Sequence, residues 1–318
     1  MISVQNVAVY DNAGIPSFMV RFRKEKNKDL FPGGSDTTHP AFIINNEEVD
    51  EIYISQYANT IFNGKAYSWP LQKPAVNVTY EEVMAACFAK GEGWHMLTAA
   101  EYALAIHDSK RKNTLPHGNT YCGRDWNHRE EQGIIYDDVF TLTGSGPATW
   151  AHDHTMFGIH DLNGNIWEMI AGLRLMNGVI EVIPNNDAAA PHDYSKQSNL
   201  WQPILHEGKP VKYKTESGIV ILTTGEVEED WDGCCWCDVK SEIEVPEIIK
   251  ALSLFPTDEK DGQSYIFVDT DNERLPSRGG YYNITGSAGL GYLDLGIPRS
   301  YSYDLLGFRS AFYRKTAN

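Results

Sequence analysis

Residues 157–169 read "FGIHDLNGNIWEM". Ile159, Leu162, Ile166 and Trp167 are apolar and can face a core. Gly164 marks a tight turn. Asn163, Asn165 and Glu168 bring polar groups and oxygens to that turn. Just beyond comes "LRLMNGVIEVI", a hairpin signal with Asn177-Gly178 as a type I′ turn.

Working outward, "TYEEVMAACFAKGEG" predicts a helix with Thr79 as N-cap and Glu82 three residues on. "LTAAEYALAIHDSKRK" predicts a second, with Thr98 and Glu101 in the same roles. Residues 1–40 alternate in the strand manner and then turn into a loop, "FPGGSDTTHP". They read as an N-terminal β attachment or oligomerisation element, with one larger domain over residues 41–318. Residues 111–150 are loop-rich and aromatic. Residues 183–275 read as a polar, irregular insertion with one strand pair around Gly218. From Arg278 to Tyr313 the chain runs "RGGYYNITGSAGLGYLDLGIPRSYSYDLLGFRSAFY", rich in Tyr, Ser and Gly, with no Cys and no His.

The chain has 318 residues, 42% of them hydrophobic, enough for a large core without disulfide or metal. It holds 17 Tyr and 8 Trp, residues that suit binding surfaces. The formal net charge of −16 disfavours nucleic acid as a partner. The basic runs "RFRKEKNK" and "SKRKN" read as solvated faces. The five cysteines, with three in "CCWC", do not describe a secreted disulfide framework. The N-terminal "MISVQNVAVYDNAG" lacks the basic and apolar regions of a signal peptide. No run approaches the ~20 apolar residues of a membrane span, so no membrane insertion is expected.

Taken in order, "PAVNVTYEEVMAAC", "HMLTAAEYALA", "FGIHDLNGNIWEM", "SRGGYY" and "GFRSAF" resemble the formylglycine-generating-enzyme and sulfatase-modifying-factor family, over about residues 45–175 and 276–314. The resemblance implies an α+β, C-type-lectin-like fold with two helices, small antiparallel sheets and long loops. Arg278 and Arg309 then read as structural, each guanidinium tying several loop carbonyls or carboxylates. The family's catalysts use a Cys pair after the RGG block to bind copper and attack a substrate thiol. Here that stretch lacks Cys, and so lacks a soft Cu(I) ligand and a redox nucleophile. A related branch uses three His on an added helical domain. His152 and His154 in "AHDHTM" lack the third partner at helical spacing. In "CCWC", Cys234 and Cys237 have C-x-x-C spacing, but no second pair completes four ligands. The resemblance implies no cofactor except calcium, with Asn163, Asn165 and Glu168 as the oxygen set. Capping by Asn165, with Glu168 three residues on, explains the same residues.

The C-terminal stretch also resembles the variable region of proteins diversified by diversity-generating retroelements, including phage tropism determinants. The frame maps to Arg278-Gly279-Gly280, Ser287-Ala288-Gly289, Leu293, Leu295, Pro298-Arg299-Ser300 and Gly307-Phe308-Arg309. The resemblance implies ligand contacts at Tyr282, Asn283, Ile284, Tyr292, Asp294, Gly296, Ile297, Tyr301, Tyr303, Asp304 and Leu305. It implies a non-enzymatic binder of a host-surface protein or glycan, carried on a phage tail as a homo-oligomer, with a trimer expected. Two alternatives stand beside it. One is a cellular variable protein in the bacterial cytoplasm or on the cell surface. The other is an oxidoreductase of the sulfatase-modifying type.

Overall fold

The computed structural model describes residues 6–261 and 264–314. Both predicted helices form, and both capping boxes close. Tyr80–Phe88 starts at Thr79, whose hydroxyl accepts from the Glu82 amide while the Glu82 carboxylate accepts from the Thr79 amide. Ala99–Lys112 repeats the device with Thr98 and Glu101. Each box satisfies two amides that the first helical turn cannot pair. The second helix is buried on nearly every side. It packs Tyr102, Leu104, Ala105 and Ile106 into the main core.

The first sheet has five strands, in the order Asn6–Tyr10, Pro16–Arg23, Glu51–Ser55, Ser310–Tyr313 and Trp94–Met96. Pro16–Arg23 pairs antiparallel with Glu51–Ser55, whose other edge takes Ser310–Tyr313. This corrects the boundary expected at residue 40. Residues 6–23 are strands of the domain's own sheet, and Val20 and Phe22 lie in the main core. The alternation that suggested a separate β element is that of a sheet buried on one face. Residues 1–5 of the expected element lie outside the described residues.

The second sheet is larger. Its ordered path runs Trp231–Cys235, Tyr265–Asp269, Leu293–Ile297, Glu273–Arg278, Leu173–Met176, Val179–Val182, Lys212–Glu216, Ile219–Thr223 and Lys240–Ser241. The hairpin turns at Asn177 and Gly178, with φ of 49° and 76° as type I′ requires. Trp167–Met169 lies off this path, antiparallel to Glu273–Arg278 and parallel to Leu306–Phe308.

The stretch 183–275 is more than a polar insertion. Its strands occupy both ends of that path. Tyr213, Val220, Leu222, Ile266 and Val268 enter the main core. The strands Ile219–Thr223 and Tyr265–Asp269 are short and largely apolar, and the polar loops around them dominate the average composition of the segment. Tyr265–Asp269 pairs parallel with Leu293–Ile297, so this segment directly supports the C-terminal stretch.

Candidate functional site

Arg278 ends a strand and is fully buried. Its guanidinium donates to the carbonyls of Gly291 (3.1 Å), Leu252 (3.3 Å) and Ser253 (2.9 Å). Gly279 follows with φ of +87°, and a Cβ there would lie 2.7 Å from the Leu162 carbonyl oxygen. Only glycine fits that turn and that approach. The Gly279 carbonyl accepts from the Gly164 amide at 2.9 Å. The two diagnostic stretches of the sequence therefore meet backbone to backbone.

Arg309 is the second tie. Its Nε and Nη2 reach the Glu168 carboxylate at 2.7 Å each. Nη2 also donates to the His160 carbonyl and Nη1 to the Gln56 carbonyl. Burial pushes the Glu168 carboxyl upward, and the Arg309 charge opposes that push. A third arginine of the frame, Arg299, makes a two-pronged contact with Glu273, Nε to Oε2 and Nη2 to Oε1 at 2.8 Å each. Glu273 also accepts from Arg174 at 2.8 Å.

Between these ties the strand Leu293–Ile297 alternates. Leu293 and Leu295 are fully buried, whereas Asp294 and Gly296 face the other side. Phe308 is fully buried as well. Asn283, Tyr301, Tyr303 and Asp304 are exposed, and Tyr282, Ile284, Asp294, Gly296 and Ile297 are half-buried. Desolvation pushes the Asp294 carboxyl up to about 6, against the lowering effect of the Gly296 amide that it accepts from.

Two expected contacts are corrected. Tyr292 is buried, with its ring edge-on to Trp167 at 4.6 Å and near Tyr265 at 5.9 Å. Leu305 is buried too, its carbonyl accepting from the Trp167 amide. Both lie immediately before a strand, Leu293–Ile297 or Leu306–Phe308, where the chain returns to the core. Trp167 departs from expectation in the opposite sense. Ile159, Leu162 and Ile166 are buried, but Trp167 is half-buried and stacks on Tyr281 at 5.8 Å.

Each side chain of the expected calcium set has a protein partner. Glu168 is engaged by Arg309. The Asn165 side chain bonds the Thr141 backbone through both ends and also accepts from Asn119. The Asn163 amide donates to the Pro116 carbonyl. Nor does Asn165 cap a helix, since residues 167–169 form a strand. His152 is buried against Asp108 at 3.2 Å, and His154 bonds the Leu115 carbonyl.

The loop of residues 118–141 flanks the stretch, which sequence reasoning missed. Cys122 donates its amide to the Tyr282 carbonyl, and Thr285 donates to the Thr120 carbonyl. Phe140 lies edge-on to Tyr282 at 5.0 Å. The Arg129 guanidinium sits over Tyr121 (3.9 Å) and Trp126 (4.1 Å), and both rings remain partly exposed. The aromatic content of residues 111–150 was the available signal. Its pairing with the C-terminal stretch is long-range and leaves no sequence period.

Residues 35–186, a little under half of the chain, match the model of the sulfatase-modifying factor enzyme 1-like domain. No curated protein matches the chain. Among solved structures, PvdO from Pseudomonas aeruginosa is similar at 14% identity and a TM-score of 0.34, covering 97% of this chain and 98% of that one. Treponema denticola variable protein 1 is similar at 11% identity and a TM-score of 0.35, covering 97% and 99%. Both capping-box helices and Glu168 lie within the residues that match the sulfatase-modifying factor enzyme 1-like domain, and the mixed α+β architecture with its small sheets and long loops is that of the expected C-type-lectin-like, formylglycine-generating-enzyme-like fold.

Proposed function

We propose that this chain is a non-catalytic ligand-binding protein whose C-terminal stretch is a replaceable contact surface. The observation that carries the reading is the division of labour within residues 278–309. Arg278, Leu293, Leu295, Phe308 and Arg309 are buried frame, whereas Asn283, Tyr301, Tyr303 and Asp304 are exposed filler. Tyr offers large contact area at low entropic cost, and a rigid frame lets such residues change without changing the fold. The stretch has no Cys or His for metal or thiol chemistry. Treponema denticola variable protein 1 carries the same idea in its name.

In the finer form of this reading, the chain is a phage tail adhesin varied by a retroelement, with a host-surface protein or glycan as its ligand. Display as a homo-oligomer, a trimer in this reading, would raise avidity by ~10²–10⁴ with no new contact. A cellular variable protein is the second form, since the frame-and-filler division serves both. Replacing Asn283, Tyr301, Tyr303 and Asp304 together with Ala tests the shared core. Beads coated with the wild-type chain should adsorb to cells in a panel of bacterial hosts, and beads coated with the variant should not, at equal thermal stability. Stoichiometric Cu(I) binding with thiol-dependent oxygen consumption would overturn the reading in favour of an enzyme. A reverse-transcriptase gene beside an imperfect DNA repeat of the 278–309 segment would support diversification, and neighbouring tail genes would favour the phage form.

A further inference from the structure

The "CCWC" run resolves into two environments. Cys234 points inward, buried, where its sulfur accepts from the Val220 amide. Trp236 is also buried and donates its indole N–H to the Gly291 carbonyl at 2.8 Å. Cys235 ends the strand Trp231–Cys235 half-buried, and Cys237, in the turn that follows, is exposed. Their sulfurs are 2.7 Å apart, in thiol-to-thiol contact. Asp238 follows in the short 3-10 turn Trp236–Asp238. The two sulfurs and a carboxylate oxygen of Asp238 all lie within 4.8 Å of one another. No other group of three such donors occurs among the described residues.

We propose that Cys235, Cys237 and Asp238 form a binding site for a thiophilic divalent cation of the zinc class. Two thiolates and one carboxylate supply three ligands of a tetrahedron and leave the fourth position for water or a ligand atom from outside. The donor set suits zinc or cadmium and not calcium or magnesium, which take oxygen. The spacing asks for a small adjustment. Two sulfurs each ~2.3 Å from one ion stand about 3.8 Å apart, so the pair must open by about 1 Å. Exposed Cys237, on a short turn, has room to move. The carboxylate separates this assignment from a simple thiol pair, which has no use for Asp238. The overall charge of −16 also favours cation capture. Through Trp236 the ion would stiffen the segment that carries Gly291, the carbonyl partner of Arg278.

Titration of the reduced full-length chain with Cd²⁺ or Zn²⁺ tests the site. One equivalent of Cd²⁺ should give a sulfur-to-metal charge-transfer band. That band should vanish in C235S and C237S, persist in C234S and need higher Cd²⁺ in D238N. Zn²⁺ should raise the unfolding midpoint of the wild type and leave that of the C235S/C237S double variant unchanged. Both exposed-side Ser variants should keep the wild-type near-ultraviolet circular dichroism, which excludes misfolding as the cause of any loss. No stoichiometric band in the folded wild type, a band that survives the double variant, or a D238N affinity equal to wild type would each overturn the assignment.

Discussion

Tyr292 meets Trp167 edge-on, with ring centroids 4.6 Å apart and planes at 75°. The contact joins the two stretches that define the fold, and it makes Tyr292 part of the core. Tyr292→Ala should cost about 3–5 kcal/mol in urea unfolding. Tyr301→Ala and Tyr303→Ala, at 43% and 44% exposed, should each stay within about 0.5 kcal/mol. Equal losses at all three positions would dissolve the distinction between frame and filler.

Arg309 and Glu168 are a fully buried pair. Arg309→Met alone should destabilise the chain by about 3–5 kcal/mol, because it strands a buried carboxylate. Adding Glu168→Leu should recover part of that loss. Thermal unfolding of the two single variants and the double variant measures the coupling. Strict additivity would mean that the pair is not the tie described.

Glycines in this stretch are unequal. Gly279 has a φ of +87° and would place a Cβ 2.7 Å from a backbone oxygen, whereas a Cβ on Gly286 would meet only Trp126 atoms at 3.6 Å. Gly279→Ala should therefore lower stability by about 2 kcal/mol or more. Gly286→Ala should be nearly neutral by the same unfolding assay.

Asp294 gives a pH signature. Its carboxyl is held near 6, above the ordinary 3.8, because burial disfavours the charged form. Below pH ~3.8 the group is neutral in both folded and unfolded chains and costs nothing. As pH rises through about 4 to 6, the unfolded chain ionises first and stability falls. Above about 6 the penalty is constant. Allowing for partial solvent screening, the wild type should lose on the order of 1–2 kcal/mol relative to Asp294→Asn across that window. Parallel stability profiles for the two proteins between pH 4 and 7 would contradict the shift.

Both helices could be read to their caps because capping boxes are local, spanning Thr79 to Glu82 and Thr98 to Glu101. The Asn177-Gly178 hairpin is local in the same way. The frame arginines could be read from motif order. Their partners could not, since Glu168 and Arg309 are 141 residues apart. Tyr292 and Tyr301 look alike in sequence. Burial separates them, and burial depends on ring contacts with Trp167 and Tyr265 that the local pattern does not name. The expected calcium set shows a related limit of local reading. The sequence places three oxygen donors together, but it cannot show that a distant arginine engages Glu168 and the Thr141 backbone engages Asn165.

The strand Ser310–Tyr313 fills a slot between Glu51–Ser55 and Trp94–Met96. During synthesis that slot waits for the whole 278–309 segment to emerge first. A version of the segment that cannot return its end to the sheet leaves two strand edges open in the middle of the domain. Exposed edges are what aggregation and proteolysis act upon. Under the proposed function, completion of the sheet is thus an inspection step: a changed surface would reach a ligand only after the chain behind it has closed the fold.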